Sequence, residues 1–217
     1  MATPAEKIDE RIEKHEVMTE EAAIGKVRLI GITGLAGTGK DTLAEYIMSR
    51  FGAKRLALAD PIKAILNSIF GFPHEAWNDR KWKESVLPLI GHSPRVLAQT
   101  LGTDWGRALN ENIWVSKVLG RWRESMCEFT VIPDVRFDNE AVEILRSGGM
   151  VIRVERAAAE PVAMHQSEQG VQDQLIHLSI KNEGTIQELH EAFDRAIVRH
   201  VLDVQAQQKQ QADANPQ

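Results

Sequence analysis

The stretch "GITGLAGTGKDTLAEY", Gly31 to Tyr46, decides how this chain folds. The run leading into it, "KVRLIGITG" (26–34), is β-branched, apolar and ended by glycine, which reads as a strand. The run leading out, from about Gly39 to Phe51, sets Leu43, Ile47 and Phe51 four apart on one helical face, and Gly52 is a natural stop. Between them Gly34, Gly39 and Lys40 match the phosphate-binding pattern G-x-x-x-x-G-K-[ST], with one departure: Asp41 takes the hydroxyl position and Thr42 follows one place late. Gly34, Gly37 and Gly39 allow a tight turn whose backbone N–H groups point inward, the helix dipole reinforces them, and Lys40 adds a full positive charge. The cofactor-binding set is therefore Gly34, Gly37, Thr38, Gly39, Lys40, Asp41 and Thr42. A purely structural glycine turn is the competing reading, and the strand–loop–helix context argues against it.

A carboxylate beside a polyphosphate is repelled unless a cation lies between them. Mg²⁺ reverses the sign, because this hard ion takes oxygen ligands and keeps several waters. Asp41 reads as a metal ligand, direct or through water, with Thr42 donating its hydroxyl to the α-phosphate. The alternative is that Asp41 only caps the helix start.

Outward from the loop, strand-like and helix-like segments alternate. "AKRLALA" (53–59) predicts a second strand, and "DPIKAILNSIF" a helix with Asp60 as cap and Pro61 at its first position. Residues 73–125 contain no convincing strand and read as helices with loops. "EFTVIPDVR" (128–136) returns to strand, "DNEAVEILRSGG" is a helix capped by Asp138 or Asn139 and ended at Gly148, and "MVIRVER" (150–156) and "LIHLSIKN" (175–182) are further strands. The last helix opens with Thr185 and Glu188 in capping-box spacing, with Ile186, Leu189, Phe193 and Ile197 turned inward. Apolar strands separated by helices predict an α/β fold: three layers, α/β/α, around a central parallel sheet of about five strands. Ligands of such sheets sit at the carboxyl ends of the strands, where Gly34, Asp60, Asp134 and Arg156 all fall.

The 217 residues are 43% apolar and 26% charged, which suits one globular domain. Residues 1–25 read as a charged arm, 26–203 as the domain, with a helical insertion at about 61–125 and a lid at about 157–174, and 204–217 as a flexible tail. The formal net charge of -5 provides no basic track for a nucleic acid backbone. No apolar run approaches the roughly 20 residues that span a bilayer, so no membrane partner is expected. Cys127 is the only cysteine, which excludes an intramolecular disulfide and points to a cytoplasmic setting.

Asp134 ends an apolar strand and faces the loop, where it would hold Mg²⁺ or orient an acceptor; a solvated turn aspartate is the bland alternative. Arg136 follows two residues on, suited to bidentate phosphate contacts. Arg156 precedes a polar segment too long for an idle connector, a lid containing His165 and Glu168. In the insertion, Arg95 and Arg107 flank Gln99, Thr103 and Asp104, a set able to bind a phosphate and a base edge, or else ordinary helix surface. Of the five tryptophans, 77, 82, 105, 114 and 122, most read as packing and one is available to stack on a nucleobase.

The motifs "GLAGTGKDT", "LADPIKAIL", "SPRVLAQTLGTDWGR" with "IWV", "VIPDVRFDNEAVEIL", "VIRVER", "HQSE" and "IKNEGTIQEL", in that order over residues 27–200, resemble the deoxynucleoside monophosphate kinases of bacteriophages, whose loop carries the same GKDT departure. The resemblance implies a P-loop kinase fold, ATP and Mg²⁺ as cofactors, transfer of a γ-phosphoryl to a deoxynucleoside monophosphate (dNMP), and a homodimer. It assigns Lys40 and Thr42 to the ATP phosphates, Arg136 and Arg156 to phosphates during transfer, and Asp134 as the acid after the third core strand. Lys63, Arg95, Gln99 and Thr103 fall near the acceptor, to which the strand-end reading adds Asp60 and the insertion Arg107. The segment between Ile69 and Ser93 does not follow the family pattern, which leaves the preferred base open. Rival readings are another small-molecule P-loop kinase, such as a dephospho-coenzyme A kinase, and a regulatory module that binds ATP without transferring it. A motor ATPase acting on nucleic acid is disfavoured by the lack of a paired Asp-Glu after an apolar strand.

Overall fold

The computed structural model describes residues 23–25, 27–126, 128–157 and 170–214. Its centre is β1, Leu29–Thr33, all five residues buried. A strand with no polar alternation needs cover on both faces, and here it has it. β2 (Lys54–Arg55), β3 (Thr130–Ile132), β4 (Met150–Glu155) and β5 (Leu178–Lys181) complete a sheet in the order β2-β3-β1-β4-β5. Every pairing is parallel, with Ile30 beside both Val131 and Met150. The carboxyl ends of all five strands therefore open on one edge.

Alternate residues of β1 feed opposite layers. Ile30 and Ile32 pack with Leu43 and Ile47 of α1 (Lys40–Phe51) and Leu189, Phe193 and Ile197 of α7 (Ile186–Ala214). Leu29 packs on the other face with Val115, Val118 and Leu119 of α5 (Ile113–Glu124) and Ala141 and Ile144 of α6 (Asp138–Arg146). The insertion is the expected run of helices: α2 (Asp60–Phe70), α3 (Arg80–Glu84), α4 (Pro94–Gln99) and a π-helical segment, Thr100–Arg107. Its own small core joins Ile62, Leu66, Trp77 and Trp114.

Several boundaries differ from the sequence reading. β2 has two residues, both exposed, because Leu56, Ala57 and Leu58 turn into the next loop. β3 stops at Ile132, where Pro133 has no N–H to continue a ladder. Asp60 is the first residue of α2, not its cap, and its carboxylate turns back to accept the Ala57 N–H at 3.1 Å. Neither Asp138 nor Asn139 caps α6, whose cap position is Phe137; Asp138 accepts from the backbone N–H of Gln172 at 2.8 Å. The Thr185–Glu188 capping box forms, with Glu188 Oε2 accepting the Thr185 N–H at 2.6 Å and Thr185 Oγ1 accepting the Glu188 N–H at 3.2 Å. Ile186, expected inward, is 63% exposed. The tail from Val204 continues α7 to Ala214, and Ala23 and Ile24, assigned to the arm, are buried in the α1–α7 layer. The rest of the arm and most of the lid, with His165 and Glu168, lie outside the described residues. No helix among the described residues is long and apolar enough to cross a membrane.

Phe193, with no exposed surface, joins α7 to β1 and α1. Phe193→Ala is expected to cost about 3–5 kcal/mol, read as a lower urea midpoint at unchanged slope.

Candidate active site

The loop after β1 is braced from neighbouring strand ends. Gly34, at φ 140°, lies so close to β4 that a Cβ there would sit 2.3 Å from the Val154 carbonyl oxygen. Gly39, at φ 100°, caps α1, and a Cβ there would meet Asn182 Nδ2 at 2.5 Å. That same Nδ2 donates to the Thr38 carbonyl at 2.8 Å, so the residue after β5 holds the loop in place. Thr38 is buried, and its hydroxyl donates to the Leu35 carbonyl at 3.0 Å. Lys40 arches back over the loop, its Nζ donating to the carbonyls of Gly34 and Leu35 at 2.7 and 2.5 Å.

Lys40 stands between two spaces. One, about 410 Å³, is lined by Gly37, Gly39, Asp41, Thr42, Arg156, Asn182, Gly184, Ile186 and Leu189. The other, much smaller, is lined by Thr33, Gly34, Leu35, Ala36, Val135 and Arg136. The fold thus brings Arg156, Lys40 and Arg136 around the loop from three strand ends. Ile186 is exposed because it belongs to the wall of the larger space. Asp41 is exposed in the first turn of α1, and Thr42 beside it is half-buried.

Asp134 is differently employed. Its two carboxylate oxygens accept the N–H groups of Leu58 and Ala59 at 2.8 and 2.9 Å. Burial pushes its pKa up, opposed by those two hydrogen bonds and by Arg136 and Arg55. Together with Asp60 on the Ala57 N–H, it neutralises the three successive amides that lead into α2. In this structure both carboxylates fasten the β2–α2 turn, and Asp60 also faces Arg55 at 3.9 Å. The amides of the turn ahead of α2 are thereby occupied, and positive charge near the loop comes from side chains.

Those side chains gather on the insertion. Lys63 of α2 and Arg95 of α4 are half-buried, with Lys63 Nζ 6.0 Å from the Trp77 ring centroid. Arg95 Nε lies 2.8 Å from Glu84 Oε1, a charge contact too bent for a hydrogen bond. Lys83, which the sequence reading passed over, joins them from α3. Burial lowers its pKa, and the like charges of Arg95 and Lys63 lower it further, against the opposing pull of Asp41 and Glu84. Three cations therefore share one region facing the loop carboxylate. Gln99 and Thr103 are half-buried on the turns that follow Arg95, and Trp105 is the most open of the five indoles at 52% exposed.

Arg107 does not join this cluster. Its guanidinium stacks 3.6 Å from the Phe137 ring centroid, donates to the Glu111 carbonyl and Asn139 Oδ1 at 2.9 and 3.0 Å, and faces Glu140 at 3.8 Å. Glu140, 5% exposed, accepts the N–H groups of Arg136 and Phe137 on one oxygen at 2.8 and 3.0 Å.

A sequence model of the deoxynucleotide monophosphate kinase family matches residues 28–88 and 89–193. A protein of Acanthamoeba polyphaga mimivirus named "Putative deoxynucleotide monophosphate kinase" is 32% identical over 154 residues, 64% of this chain and 80% of that protein. Among solved structures, TT1252 from Thermus thermophilus is 19% identical with a TM-score of 0.42 over 79% of this chain and 96% of its own. Dephospho-CoA kinase from Campylobacter jejuni is 15% identical with a TM-score of 0.42 over 82% and 96%.

Burial raises the Glu140 pKa from 4.5 to about 7, against the pull of the two amides and of Arg107. Between these two values the folded chain holds a proton that the unfolded chain has lost, so stability falls as pH rises through that window. Asp134 contributes with the same sign. Melting temperatures measured across the window should decline with pH, and Glu140→Gln should remove the upper part of the decline.

Proposed function

Because the chain belongs to the deoxynucleotide monophosphate kinase family, and is thus a phosphotransferase, we propose that it moves the γ-phosphoryl of ATP onto a dNMP, releasing dNDP and ADP. The observation that carries this reading is Lys40 between two spaces, with Arg156 in the wall of one and Arg136 in the wall of the other. Two polyanions have to meet, and a cation at their junction flanked by one arginine on each side is what their repulsion demands.

The larger space takes ATP, with the loop amides and Lys40 on its phosphates and Thr42 on the α-phosphate. The dNMP lies over the insertion, its phosphate met by Lys63 and Arg95, with Gln99 and Thr103 toward the nucleoside and Trp105 open for stacking. An acceptor phosphate is already an oxyanion at neutral pH, so no general base is required. Catalysis is alignment of the attacking oxygen with the γ-phosphorus, with Lys40, Arg136 and Arg156 neutralising charge as the phosphoryl passes. Asp134 acts indirectly, by fixing the turn from which Lys63 rises.

Asp41 fits a Mg²⁺ site: its exposed carboxylate, at the edge of the larger space, is a hard oxygen donor for such an ion. When bound, the ion would supply charge neutralisation to the ATP phosphates. The family resemblance adds a homodimer, and the single cysteine suits a cytoplasmic setting.

Purified protein with ATP, Mg²⁺ and each common dNMP and NMP is the test. ADP should accumulate only when a dNMP is present; release without any acceptor, or none with every acceptor, defeats the reading. Lys40→Ala should lower kcat by about 10³-fold or more in a variant that circular dichroism shows to be folded, and near-normal turnover by that variant removes Lys40 from its role.

A further inference from the structure

We propose that Glu140 is the positioning residue of the transfer arginine: it fixes the backbone from which Arg136 projects and, through Arg107, couples that backbone to the acceptor insertion. The inference deepens the kinase reading and rests on it for the role of Arg136.

Arg136 follows a strand that has already ended at Ile132, in a connection whose further bond to the sheet is from the Val135 N–H to the Ile32 carbonyl at 3.1 Å. Past that bond one carboxylate oxygen, Glu140 Oε2, accepts the N–H groups of both Arg136 and Phe137. The carboxylate is buried and its remaining oxygen faces Arg107 across 3.8 Å. Arg107 closes the π-helical segment whose earlier turn carries Thr103, and it clamps the Phe137 ring from above. Asn139, one residue before Glu140, accepts from Arg107 and donates to the Glu111 carbonyl and Asn112 Oδ1 at 2.9 and 2.8 Å. The arginine next to the loop and the helix under the acceptor are therefore joined through Glu140. A shift of the insertion on acceptor binding would move Arg107, and with it the anchor of Arg136.

The charged groups acting on Glu140 are Asp134 from the end of β3, which raises its pKa, and Arg107 from the π segment, which lowers it; the amides of Arg136 and Phe137 lower it also. Ionised, it is the stronger acceptor for both amides. Loss of that charge loosens the anchor.

The test uses the full chain, as wild type, Glu140→Gln and Arg107→Met. First, amide chemical shifts of Arg136 and Phe137 are followed by NMR against pH. In the wild type both should titrate together with a midpoint near 7, in Arg107→Met the midpoint should move to higher pH, and in Glu140→Gln the titration should vanish. Second, in steady-state kinetics Glu140→Gln should lower kcat by about tenfold or more at pH 8 with the KM for ATP unchanged. The wild-type fall in kcat on the acid side of neutrality should be absent from it. Amides that do not titrate, a midpoint that Arg107→Met leaves in place, or a folded Glu140→Gln with wild-type kcat and the same acid limb overturns the proposal. If the wild type phosphorylates no acceptor, the kinase reading falls by itself, and the amide titrations still decide whether Glu140 anchors Arg136. If Glu140→Gln does not fold, the midpoint in Arg107→Met decides.

Discussion

A loop that gathers its own N–H groups around one point cannot also brace itself, because the glycines that make the turn possible have no side chains to pack. The bracing comes from the next two strand ends. The Val154 carbonyl fills the place where a side chain of residue 34 would go, and the Asn182 amide holds the Thr38 carbonyl from a position where a Cβ on residue 39 would collide. The loop conformation therefore depends on the order of the sheet. β4 lies beside β1 and β5 beyond it, and only that order sets Val154 and Asn182 against the turn.

The chain spends its acidic side chains unexpectedly. A site for two polyanions favours cations, yet Asp60, Asp134 and Glu140 all converge on its floor. Each accepts backbone N–H groups in a connection that follows a strand: Ala57 to Ala59 after β2, Arg136 and Phe137 after β3. Buried amides without partners cost about 1–3 kcal/mol each, and a short carboxylate can satisfy two at once. The acids thus hold the backbone beside the loop, while the cations Lys40, Arg136 and Arg156 line the two spaces.

The sheet, its helices and the loop were legible because each is written in local pattern: apolar runs closed by glycine, four-residue spacing, capping pairs. Long-range uses of a side chain were not. Asp134 at a strand end has the same letters whether it faces a metal or the amides of residues 58 and 59, and only the neighbouring strand decides. Arg107 was placed near the acceptor by its position in the insertion, but Phe137 and Asn139, about thirty residues on, claim it. Lys83 could not be found because its segment follows no pattern and its neighbours, Lys63 and Arg95, come from two other helices. Ile186 obeys the apolar spacing of its helix and still faces outward, since the wall of a cavity and the wall of a core are lined by the same residue types.

The π-helical segment carries a further consequence. Winding i to i+5 in place of i to i+4 spreads the backbone, and Gly102 and Gly106 use that breadth to lie flat on Ile62 and Trp114, with the Trp114 indole donating to the Gly102 carbonyl at 2.7 Å. Slipping by one residue into ordinary α-helix would swing everything downstream by about 100°. A single bulky substitution at either glycine would lift the segment off its seat, so its register is held by two missing side chains.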